Sequence, residues 1–164
     1  MLYLAIAIYA AAMTLANLSV AQWGPAVTPI NAFVLIGLDL ALRDWLHVRL
    51  RAWQMGVLIV ATGALTFLLN PAAGMIAVAS SAAFTAAALV DWATFAKLRG
   101  SWLYRANGSN IAGAAVDSLL FPTIAFGALM PGIVAAQFVA KVAGGAVWAW
   151  VINKAIPPKI PQNA

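Results

Sequence analysis

Three ionisable residues, Asp39, Asp117 and Lys141, stand inside long apolar stretches of this 164-residue chain. A charge at mid-bilayer costs at least about 2.5 to 3.5 kcal/mol, so such residues persist where they pair, bind or conduct. Their neighbours are polar too. Asn110, Gly113, Ala114 and Asp117 follow the i, i+3, i+4, i+7 spacing of one helix face. Gln137 and Lys141 are i, i+4, with Trp148 two turns further on, and Asn31 lies near the same side of its segment as Asp39. Asn17 adds another amide. A carboxylate accepts two N–H donors side by side, amides donate and accept, and aromatic rings stack on flat solutes. Asn31, Asp39, Asn110, Asp117, Gln137 and Lys141 are therefore the candidate binding residues for a small, polar, planar solute.

Each also has a plainer reading. Arg43, four residues after Asp39, suggests an intrahelical ion pair or a cation snorkelling to the surface. Asp117 with Lys141 can be a pair that only fixes helix register. Asp91 and His47 read as ordinary interfacial residues, and Trp23, Trp45, Trp53, Trp92 and Trp102 as interfacial belts. Other chemistries lack their signatures. There is no GxxxxGK[ST] loop, no HExxH, no cysteine and no GxSxG; Ser118 beside Asp117 is a lone hydroxyl in a span. The sequence thus calls for no cofactor, no metal and no catalytic residue.

The elements that position these residues follow from composition. The chain is 65% hydrophobic and 8% charged, against about 25% charged in a soluble domain. About 20 apolar residues make one transmembrane helix. Six such spans are expected at Leu2–Val20, Thr28–Leu46, Trp53–Leu69, Ala72–Val90, Asn110–Ala128 and Pro131–Ile152. The third is short, and Pro122 is expected to kink or break the fifth. Residues 1–155 form one transmembrane domain in this reading, and 156–164 a Pro-rich tail. The expected fold is all-α, a bundle of six transmembrane helices. At 1.5 Å per residue, Asp39 is about 16 Å from Thr28, Asp117 about 16 Å from Ala128 and Lys141 about 15 Å from Pro131. Three helices bring their charges to one depth.

Cations set the orientation. Arg43, Arg49 and Arg51 surround the second connection, Lys97, Arg99 and Arg105 the fourth, and Lys154 and Lys159 follow the sixth span. The other three connections carry no lysine or arginine. Positive loops stay in the cytoplasm, so both termini are expected to be cytoplasmic. Cations dispersed in this way suit a membrane and not a nucleic-acid surface, despite the net charge of +5.

Several blocks resemble the queuosine precursor transporter family, also called vitamin uptake transporter-like. They are Pro29-Ile30-Asn31-Ala32-Phe33, Gly37-Leu38-Asp39-Leu40, Arg43-Asp44, Asp91 with Phe95 to Arg99, Ser109-Asn110 through Gly113, Asp117-Ser118, Phe121, Ala125-Phe126 and Lys141. They occur in family order and cover most of the chain from Asn17 to Trp150. The resemblance implies uptake of 7-deazaguanine bases such as preQ0 or preQ1 across the bacterial inner membrane. It places Asp39, Asp117 and Lys141 on the family's polar positions. Glutamate is absent from this chain, so any family contact made by glutamate is lost. Two rival readings are a substrate-binding subunit of an energy-coupling transporter and a pore-forming or structural membrane protein. Small-xxx-small pairs, Ala7 with Ala11 and Ala12 with Ala16, suit a helical partner, either a second copy or an energy-coupling subunit.

Overall fold

The computed structural model describes residues 1–157. The expected tail beyond Pro157, with Lys159, lies outside the described residues. Among the described residues six helices follow one another: α1 Leu2–Trp23, α2 Pro25–His47, α3 Ala52–Leu69, α4 Gly74–Lys97, α5 Trp102–Phe126 and α6 Pro131–Ala155. No strand is present among the described residues. All but α3 are long and apolar enough to cross a bilayer, α4 together with its leading turn Pro71–Ala73. The apolar stretch of α3, Trp53–Leu69, is shorter. Its 18 residues still reach about 27 Å, close to the roughly 30 Å of a hydrocarbon core.

The distribution of side chains is that of a lipid-embedded bundle. Leu4, Leu15, Val57, Val60, Leu68 and Val139 face outward, while Thr14, Asn17, Asp39, Arg43, Asp117 and Lys141 are buried. Water would favour the reverse. Of the small-residue pairs on α1, Ala12 and Ala16 are buried in the bundle, whereas Ala7 and Ala11 are exposed.

Helix ends are set by capping more than by hydropathy. α4 runs past Val90 to Lys97, and α5 starts at Trp102, not Asn110. Hydropathy marks where lipid begins, but backbone hydrogen bonding continues until something stops it. At α5 the stop is Ser101, whose hydroxyl accepts from the Tyr104 N–H at 3.3 Å. The other end closes on Gly127 at φ 68°, left-handed backbone that suits glycine. Pro122 does not break α5. Its missing N–H forfeits only the bond to the Ser118 carbonyl, and the turns on either side hold.

α2 is irregular at its outset. It begins with a 3₁₀ turn at Pro25–Val27, passes through one α turn, then widens into a π turn at Ala32–Ile36 before regular helix resumes at Gly37. The widened turn packs against α6. The Trp148 indole N–H donates to the Val34 carbonyl at 3.1 Å. A Cβ on Gly37 would lie 2.6 Å from the Gly144 carbonyl carbon, and one on Gly144 would collide with the Phe33 carbonyl oxygen. Only glycine allows this close backbone approach. Two of the expected belt tryptophans are interior: Trp45 and Trp102 are buried, and the Trp45 indole donates to the Ile156 carbonyl at 2.9 Å. Each closes the bundle where a belt residue would face headgroups.

Candidate functional site

Helices α1, α2, α4, α5 and α6 enclose a cavity of about 20 Å³, room for roughly one water. It lies in the half of the bundle nearer the cation-free connections, bordered by the C-terminal half of α1 and the N-terminal halves of α2 and α6. Four of the six candidate binding residues line it: Asn31, Asp117, Gln137 and Lys141. Asn17, Ser80, Phe84 and Phe121 complete its functional wall.

Lys141 organises one side. Its ammonium donates to Asp117 Oδ2 at 2.6 Å, to Gln137 Oε1 at 2.8 Å and to Ser118 Oγ at 3.2 Å. All three of its N–H donors are thereby used. The i, i+4 relation of Gln137 and Lys141 and the shared depth of Asp117 and Lys141 both follow the sequence reading. Ser118 is held as an acceptor for this lysine, which the sequence alone did not show.

Three buried polar atoms at the cavity have no hydrogen-bond partner: Asp117 Oδ1, Gln137 Nε2 and Asn17 Nδ2. One is an acceptor and two are donors, and they come from three different helices. Phe84 and Phe121 add aromatic faces. Asn31 has a different task. Its amide nitrogen donates to Ser19 Oγ at 2.6 Å and to the Ala16 carbonyl at 3.3 Å, tying α2 to α1.

Asp39 and Asn110 are buried but do not line the cavity. They belong to a second polar layer, nearer the basic connections. Arg43 does not pair with Asp39 and does not snorkel. It is 1% exposed, and its nearest carboxylate is Asp91 of α4 at 3.6 Å. Asp91 is accordingly an interior residue, fully buried, not an interfacial charge. Asp44 lies beside Asp91 in the same layer. Gly113 gives the layer its space: a Cβ there would stand 3.2 Å from Arg43 Nη2 and 3.3 Å from Asp91 Cβ. His47 packs parallel to Trp92 at 6.5 Å between ring centres, consistent with an interfacial role.

Among the described residues, no group of three or more His, Cys, Asp or Glu side chains is placed to hold a metal ion. The cavity thus presents one free acceptor and two free donors beside a buried ion pair. No curated protein and no solved structure matches the sequence. Residues 2–154 match the family described as "Putative vitamin uptake transporter". A six-helix bundle with polar interior layers, matched over nearly its whole length, belongs to the vitamin uptake transporter family.

Proposed function

We propose that this protein carries a 7-deazaguanine base, preQ0 or preQ1, across a bacterial inner membrane, with both termini in the cytoplasm. The three unpartnered atoms at the cavity carry the reading. A 7-deazaguanine presents an N–H and an amino group along one edge, which suit Asp117 Oδ1, and a carbonyl that suits an amide donor. Gln137 and Asn17 supply such donors, and Phe84 and Phe121 can stack on the ring. Lys141 balances the Asp117 charge when no solute is bound. Room for about one water is too little for a bicyclic base, so binding has to widen the cavity.

The test is equilibrium binding of preQ0, preQ1, guanine and common vitamins to the purified protein. Uptake of labelled preQ1 into cells that lack precursor synthesis complements it, read together with queuosine in tRNA. Tight binding of one 7-deazaguanine and weaker binding of guanine is the expected result. Failure of both bases to bind overturns the assignment of the solute.

One observation favours a second reading, a substrate-binding subunit docked on an energy-coupling partner. Leu4, Ala7, Ile8, Ala11 and Leu15 form an exposed strip along α1, with the small residues in its middle. Co-purification with an ATPase would select this reading over an autonomous carrier.

A further inference from the structure

The chain has four acidic residues, Asp39, Asp44, Asp91 and Asp117, and every one is buried, none more than 3% exposed. Among the described residues, two cations are buried with them, Arg43 and Lys141. These form the pairs Lys141–Asp117 and Arg43–Asp91. Two carboxylates are left without a cation. Were both ionised, the interior would hold two uncompensated negative charges, each costing several kcal/mol away from water.

The two differ in surroundings. Asp44 stands beside Asp91, and neighbouring carboxyl groups can share a proton. Asp39 has no such neighbour in hydrogen-bond contact. It is 0% exposed, and both its oxygens lack a partner. The groups facing it are Tyr9 from α1, whose hydroxyl approaches hydrogen-bonding reach of it, Arg43 and Asp44 from its own helix, and Asp117 from α5. α3 contributes no ionisable side chain, Asp91 of α4 is held by Arg43, and Lys141 of α6 is held by Asp117.

A metal cation does not suit this place. It needs several oxygen ligands and room, whereas the cavity stops short of Asp39 and the Arg43 guanidinium repels a second cation. A proton needs no room. Along the bundle, Asp117 at the cavity, Asp39 below it and the Asp44–Asp91 pair toward the basic end form a ladder of carboxyl groups.

We propose that Asp39 is the proton carrier of a proton-coupled uptake cycle. A proton entering from the cavity side forms an O–H bond on the Asp39 carboxylate while the bundle is closed. It leaves toward the basic end, past Asp44 and Asp91, when the inner layer parts, and the carboxylate is regenerated. No electron moves and no other reactant is consumed. The coupling rests on the transport reading; the proton site does not.

Two measurements test it. Infrared spectra of the purified protein in light and heavy water should show the isotope-sensitive carbonyl stretch of a protonated carboxylic acid, and Asp39→Asn should remove one such band. Proteoliposomes holding a pH gradient of one unit, alkaline inside, should accumulate labelled preQ0 about tenfold per proton carried. preQ0 is used because its nitrile does not titrate and cannot follow the gradient by itself. Asp39→Asn should abolish the accumulation. A spectrum that loses no protonated-acid band in Asp39→Asn overturns the proposal, as does wild-type uptake of preQ0 that ignores the gradient. If Asp39→Asn does not fold, Asp39→Glu replaces it: a shift of one protonated-acid band supports the site, and an unchanged spectrum overturns it. If preQ0 is neither bound nor taken up, the solute assignment has failed, and the infrared arm alone decides the proton site.

Discussion

Arg43 reaches across the bundle to Asp91 on α4 and not back along its own helix to Asp39, four residues away. The two interior ion pairs among the described residues are therefore both interhelical. One lies at the cavity and one below it, so each polar layer is fastened by a cation from one helix and a carboxylate from another.

Breaking the lower fastening should be costly. Asp91→Asn removes the carboxylate closest to Arg43 and leaves only Asp39 and Asp44 to answer its charge; breaking a buried pair typically costs about 3 to 5 kcal/mol, and the loss here should fall toward the lower end. Replacing both partners by apolar residues of similar size should recover much of that loss. Thermal unfolding in detergent measures both, and an Asp91→Asn protein that melts like the wild type would refute the pairing.

Asp117 and Lys141 admit a sharper test. Either neutral substitution alone should harm folding or uptake more than the two combined, because the survivor is left charged and unpaired. Additive losses across the double-mutant cycle would mean that the 2.6 Å contact carries no coupling.

Within the cavity, Asp117→Asn keeps the shape but replaces one acceptor oxygen by a donor. Affinity for preQ1 should fall about tenfold to a hundredfold, the equivalent of about 1 to 3 kcal/mol for unpaired buried donors. Asn31→Ala should instead lower stability, by about 1 kcal/mol, because its amide ties α2 to α1. Binding titrations and melting curves on the same two variants separate these outcomes.

Glycines on two helices should respond in opposite senses. Gly144→Ala drives a methyl group into the Phe33 backbone and should destabilise by about 1 to 3 kcal/mol or more. Gly56→Ala, in the second turn of α3 with nothing within 4 Å of a new Cβ, should stabilise by about 0.5 to 1 kcal/mol. Equal effects at the two positions would contradict the α2–α6 seam.

The six helices were legible because lipid demands long apolar runs, and the cavity pair because depth along a helix is a simple count of residues. Gln137 beside Lys141 needed only the i, i+4 rule. What the sequence hid is what depends on helix rotation. Local spacing offers Asp39 to Arg43, but α4 presents Asp91 to the same guanidinium through the gap left by Gly113. Asn110 lies on the same face of α5 as Asp117, yet it falls two turns toward the basic end and below the cavity. Asn17 was visible as an amide, but its place in the wall depends on how α1 sits against α2. The π turn at Ala32–Ile36 has no composition of its own and arises from packing against α6.

With all four carboxylates inside, none is left among the side chains that meet water. Arg49, Arg51, Lys97, Arg99 and Lys154 are exposed, all at one end of the bundle. That end is a plate of unmixed positive charge, with no acidic side chain to dilute its field. Each basic residue near an anionic leaflet contributes about 1 kcal/mol of attraction. The same burial that gathers the carboxyl groups inside thus leaves one end of the exterior complementary to anionic phospholipid headgroups.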